Sequence, residues 1–147
     1  ASWETLVRER APHLVANTFP FFSVDTLEYL KRGGRISKTT ALAGGLLNIK
    51  PVLTIENGEI LLVGKARGSR QGNNFLIQQI QKDGIDFSRP FFLGYTGLSD
   101  ALLQKYISDS AEIWKEHVDH LPIGTIGGAI GTHVGPGAIA VAFFTEK

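Results

Sequence analysis

The sequence predicts an α/β (α+β) sandwich: one mixed, mostly antiparallel sheet of about six strands, packed with four or five helices. Three observations carry that prediction. Short strand-like runs are mixed in order with segments of helical period. Asn57-Gly58 separates two apolar runs, "IKPVLTI" and "EILLVGKAR", which is a strong hairpin signal and makes part of the sheet antiparallel. A chain of 147 residues, 43% hydrophobic and 20% charged, suffices for one domain with a core.

Taken in order, residues 2–16 read as a helix carrying Trp3, Leu6, Val7 and Leu14, with Pro12 expected to disturb its last turn. A strand follows over Phe19–Val24. Asp25 suits a helix N-cap, with Glu28 three residues on, and Gly33–Gly34 suits the C-terminus of that helix. Ser37 is placed to cap a second short helix, to about Leu47. Pro51 marks an edge or a strand start. Residues 69–82 are helical, with Leu76 and Ile80 four apart, and Arg89–Thr96 is a strand. Ser99 or Asp100 begins the expected longest helix, to about Val118. Its apolar face is Leu102, Leu103, Tyr106, Ile107, Ile113 and Trp114. Strands at about Leu121–Ile126 and Ala138–Phe144 complete the set.

Composition excludes several classes of function. The net charge of +1 gives no general attraction to nucleic acid or anionic membranes. Without cysteine there is no disulfide, catalytic thiolate or cysteine-ligated metal, which fits a reducing compartment. His13, His117 and His120 lack metal-ligand spacing with carboxylates, so no metal site is expected. The start, "ASWETLVRER", has no signal-peptide core. The chain also has no methionine, and it reads as a fragment or a processed product. Leu121–Phe144 holds no formal charge, but its six glycines, two prolines and His133 argue for a buried strand–loop–strand and against a membrane span.

Two motifs stand out. "GTHVGPG", Gly131–Gly137, sets a histidine among glycines. Its exposed N–H groups, the Thr132 hydroxyl and the His133 imidazole would together suit a carboxylate or a phosphate. A tight structural turn whose histidine bonds a carbonyl explains the same residues. "KRGGRISK", Lys31–Lys38, places four cations around a Gly-Gly turn. Lys31 and Arg32 fit a solvated helix end, and Arg35 is the residue to single out for carboxylate or phosphate recognition. "TTALAGGLLNIKPVL", Thr39–Leu53, suits either a lined apolar cavity or plain core, and "KARGSRQG", Lys65–Gly72, a solvated basic surface. There is no nucleophile elbow, no serine–histidine–acid set and no nucleotide loop.

"FSVDTLEYLKRGGRIS" (Phe22–Ser37), "LLNIKPVL…NGEI…KAR" (Leu46–Arg67) and "IGGAIGTHVGPGAIAVAFF" (Ile126–Phe144) together resemble the carboxy-terminal half of DegV proteins. These are bacterial fatty-acid-binding proteins also called FakB, the lipid-carrying subunit of fatty acid kinase. The resemblance runs from about residue 3 to the end. It implies a cytoplasmic protein of two lobes, of which residues 1–18 would end the interdomain helix and 19–147 form the second, lipid-binding lobe. The lipid carboxylate would meet His133, in a site shaped by Gly131, Thr132, Gly135, Pro136 and Gly137. Hydroxyls from the absent amino-terminal lobe would complete it. Leu42, Leu46, Leu47, Ile123, Ile126 and Ile130 are candidates to line the acyl chain, and ordinary core explains them equally well. Arg35 and Lys38 would face a separate ATP-binding kinase subunit that phosphorylates the carboxylate to an acyl phosphate. The chain itself would be a carrier without catalytic residues, metal or cofactor. The rival readings are a hydrolase or transferase with His133 as general base, beside Thr132 or Thr125, and an interaction domain without lipid.

Overall fold

In the computed structural model, residues 1–37 and 49–145 are described. The chain opens with one continuous helical segment: α1 (Trp3–Thr5), a π-helical stretch (Leu6–Arg10) and α2 (Ala11–Ala16). Pro12 does not spoil the last turn as expected. It sits at the start of α2, and the wider π register precedes it, so its missing N–H interrupts little. No residue of this segment is buried, and Trp3 and Val15 are 79% and 77% exposed.

The elements that follow are β1 (Thr18–Ser23), α3 (Glu28–Arg32), β2 (Ile49–Glu56), β3 (Glu59–Arg67), α4 (Gly68–Asp83) and β4 (Phe92–Tyr95). Then come α5 (Ala101–Asp109), α6 (Ala111–Trp114), β5 (Ile123–Thr125), α7 (Gly128–Val134) and β6 (Ile139–Phe144). The six strands form one sheet in the order β3-β2-β1-β6-β4-β5. Every pairing is antiparallel except β4 with β5. Asn57 and Gly58 both have positive φ, the geometry of a two-residue hairpin turn that follows strand twist. Pro51 lies near the start of β2, which is an interior strand.

The period-2 alternation of the strands builds two apolar layers. Phe21, Leu93, Ile139, Val141 and Phe143 point to one face, under Leu76 and Ile80 of α4, Leu103 and Tyr106 of α5 and Trp114 of α6. Phe22, Leu53 and Ala140 point to the other. They meet Leu27 just before α3, Leu30 of α3, Ile36, and Val134 of α7.

Three expectations are corrected. The longest helix is α4, with 16 residues, because the run from Asp100 to Val118 breaks at Ser110. The Ser110 hydroxyl donates to Tyr106 O at 2.6 Å and accepts from Trp114 Nε1 at 2.8 Å, and the turn lets Trp114 reach the core. Asp25 does not cap α3. It pairs with Lys50 Nζ at 3.4 Å, and the Glu28 N–H donates to Thr26 Oγ1 at 3.3 Å instead. The stretch between β5 and β6 is not simply a loop, because α7 fills most of it. The short helix expected from Ser37 to Leu47 falls almost entirely outside the described residues.

Candidate functional site

α3 and α7 meet on the second face of the sheet, and the two sequence motifs meet with them. α3 ends in a Schellman turn. The Arg35 N–H donates to Leu30 O at 2.8 Å and the Gly34 N–H to Lys31 O at 3.1 Å, with Gly34 at φ +68°. Only glycine takes that φ without strain, which explains the second glycine of "RGGR". Buried Ile36 anchors the turn, while Arg35 stays exposed and donates from Nη1 to Gly33 O at 2.8 Å. Lys31 and Arg32 both lie 3.7 Å from carboxylate oxygens of Glu28, the solvated helix-end arrangement. Lys38 lies outside the described residues.

His133 sits in the last turn of α7, not on bare loop backbone. The helix tolerates its glycines because Val134 is buried in the second core layer and α3 packs beside it. The imidazole is half-buried. Its Nδ1 is enclosed with no hydrogen-bond partner, and among the described residues no group bonds Nε2. The backbone amides expected as anion donors are already used. Gly131 N–H donates to Gly127 O, Gly135 N–H to Gly131 O and Gly137 N–H to Thr96 O. Pro136 has no N–H, and the Thr132 hydroxyl donates to Gly128 O at 2.8 Å. The donor left facing outward from this motif is the imidazole.

Thr96 organises the chain after His133, and the sequence reading passed over it. It is buried at the end of β4, where its hydroxyl donates to Gly135 O at 2.6 Å and accepts from Ala138 N–H at 3.0 Å. Its own N–H donates to Ala138 O. A threonine closing a strand just before a glycine, as in "GYTG", was the available signal. Gly135 has φ +77°, and a Cβ there would stand 2.4 Å from the Tyr29 ring, so this position must be glycine on both counts.

The three lining candidates among the described residues do not form one surface. Ile126 packs over Gly94 on the second face, and Ile130 is 58% exposed on α7. Ile123 lies instead in an open groove with Ile107, Trp114, Val118 and Leu121. Leu42, Leu46 and Leu47 fall outside the described residues. Around β4, β5 and β6 the second face is built from small residues, Gly94, Gly124, Ala140 and Ala142, with Phe92 lying across the two glycines. No helix among the described residues is long and apolar enough to cross a membrane, and none of their side chains forms a metal-binding group.

Comparison with known proteins places this arrangement. A family model described as an uncharacterised protein of the DegV family matches residues 4–146. A DegV domain-containing protein of Caldanaerobacter subterraneus is 38% identical over 124 residues, covering 84% of this chain and 43% of that protein. A protein of Thermotoga maritima named a fatty acid-binding protein is 34% identical over 118 residues, covering 80% and 40%. A solved DegV family structure from Thermus thermophilus, described by its fatty acid binding, superposes with a TM-score of 0.78 at 27% identity. That match covers 99% of this chain and 51% of the other. The chain thus spans about half the length of the proteins it matches or less. Nearly its whole length fits one family model and shares that family's fold, so the chain belongs to the DegV family.

Proposed function

We propose that this chain is the second lobe of a fatty-acid carrier, and that His133 receives the lipid carboxylate. The observation that carries this reading is the state of the imidazole in the last turn of α7: Nδ1 is enclosed, and no group among the described residues bonds Nε2. It stands at an apolar sheet face made thin by small residues. The relatives named for fatty acid binding add support.

The physics divides between tail and head. Each buried methylene contributes roughly 0.8 kcal/mol, so about fourteen would give on the order of 11 kcal/mol before association costs. The tail thus supplies affinity and needs only an apolar surface. A buried carboxylate needs donors, and His133 is the side-chain donor that the glycine motif offers. Among the described residues the second face is not a closed tunnel, and we assign further cover and the hydroxyl ligands to an amino-terminal lobe. The exposed Trp3, Val7 and Val15 of the first helix suit contact with such a lobe. Gly131, Thr132, Gly135, Pro136 and Gly137 then shape the backbone around the head group, and do not supply its donors.

In this reading the chain has no catalytic residue and works in the cytoplasm. A separate ATP-binding kinase converts the presented carboxylate to an acyl phosphate, and Arg35, exposed beside the His133 helix, is its docking residue. Phosphoryl transfer rests on positioning and charge neutralisation, both of which a partner can bring.

The test is His133→Ala in the natural full-length protein. Palmitate affinity, or acyl phosphate formation with the kinase, should fall about tenfold or more, the loss of one hydrogen bond to a charged group. Unchanged values for both would remove His133 from the site. Arg35→Ala should keep palmitate affinity and slow kinase turnover, and loss of bound lipid with normal docking would overturn its assignment.

A further inference from the structure

The face of His133 turned into the protein meets an unusual neighbour. A Cβ built on Gly33 would stand 2.2 Å from Nδ1 and 2.9 Å from Cε1 of the imidazole. The direction of that Cβ is the direction of a Cα–H bond in the glycine, so Gly33 aims a C–H at Nδ1. A C–H tolerates a nitrogen lone pair as a weak contact, whereas an N–H in the same place would set hydrogen against hydrogen. Among the described residues no acceptor bonds Nδ1, and an enclosed N–H without an acceptor is among the rarest features of folded proteins.

The two neutral tautomers of His133 are therefore unequal. With the proton on Nε2, the bare Nδ1 lone pair faces the Gly33 C–H. With the proton on Nδ1, a donor is enclosed against that C–H and the outward nitrogen becomes a bare acceptor. We infer that Gly33 is a positioning residue that holds His133 as its Nε2–H tautomer, so that the nitrogen open to ligand is a hydrogen-bond donor. This rests on the reading that His133 meets a carboxylate, whose ionised oxygens only accept. It also gives the first glycine of "RGGR" a task apart from the turn. Gly33 has φ −75°, which any residue adopts, so its backbone does not demand glycine, and the space taken by the imidazole does.

The experiment uses the full-length protein with 15N-labelled histidine, without lipid, at pH 8.5. Two-bond 1H–15N correlations assign the tautomer of each ring, and exposed His120 serves as an internal reference. His133 should show the Nε2–H form alone, where His120 shows the mixture of a solvated imidazole. In Gly33→Ala the imidazole is displaced, so the His133 pattern should become mixed and palmitate affinity should fall about tenfold. The double variant Gly33→Ala/His133→Ala should bind no more weakly than His133→Ala alone. A His133 spectrum with Nδ1–H signal, or a mixture like that of His120, overturns the inference even if the variants do not fold. A double variant weaker than His133→Ala overturns it as well. If the Nε2–H form is found but His133→Ala binds palmitate normally, the carrier site fails while the tautomer assignment stands.

Discussion

The two faces of the sheet are built to different standards. On the first, Phe21, Leu93, Val141 and Phe143 are sealed beneath α4, α5 and α6, and Phe143 stacks against Phe19 and Phe21 at centroid distances of 6.5 and 6.0 Å. On the second, β4 and β6 present Gly94, Ala140 and Ala142 beside the larger Phe22 of β1 and Leu53 of β2, and the two helices described there, α3 and α7, have five and seven residues. Large side chains in a closed layer hold the fold. Among the described residues, the small ones of β4 and β6 lie under short helices. If the proposed carrier site is right, stability and function separate by face.

The largest expected effect is on the first face. Phe143→Ala removes a ring that is 1% exposed and should cost roughly 3–5 kcal/mol in denaturant unfolding. If the fold barely notices, the closed layer is not what holds the molecule together.

Thr96→Val comes next and probes the junction of the faces. It orphans Gly135 O and Ala138 N–H, which should cost about 1–3 kcal/mol and also weaken palmitate binding by loosening the chain after His133. Calorimetry and ligand titration on one sample would check both. Lost stability at full affinity would detach Thr96 from the site.

The smallest effect should come from Tyr106→Phe. The hydroxyl is enclosed without a partner, since the Ser110 hydroxyl is engaged by Tyr106 O and Trp114 Nε1. Its removal should change stability at pH 7 by less than about 0.5 kcal/mol. Burial pushes the phenol above its ordinary range. Because the folded state holds this proton more tightly than the unfolded state, wild-type stability is lost as pH rises beyond about 10. The Phe variant should resist alkaline unfolding better, and equal alkaline profiles would contradict the burial argument.

Much of the architecture was legible because it is local. The hairpin follows from Asn57-Gly58, α4 from the spacing of Leu76 and Ile80, and the end of α3 from Gly33–Gly34. The errors arose where a distant residue outvoted local preference. Lys50 drew Asp25 away from its cap, and the burial of Trp114 bent the run at Ser110. The site was legible as chemistry but not as geometry. Its histidine and arginine stand in plain motifs, whereas the helical state of Gly128–Val134 depends on α3 and on the buried Val134.

Sequence by itself determined the alternation that sends Phe21 and Phe22 to opposite faces, the turn chemistry, and the pairing of a Gly-Gly-Arg with a His-x-Gly-Pro-Gly. Each depends on backbone φ preferences and the two-residue period of a strand, which act between near neighbours. Tertiary structure decided which donors remain open. The glycine amides are consumed by α7 and Thr96, and the imidazole is left with its back to Gly33, a hundred residues away in the chain. Hydrogen bonds and excluded volume are settled by proximity in space, and chain order does not encode that proximity.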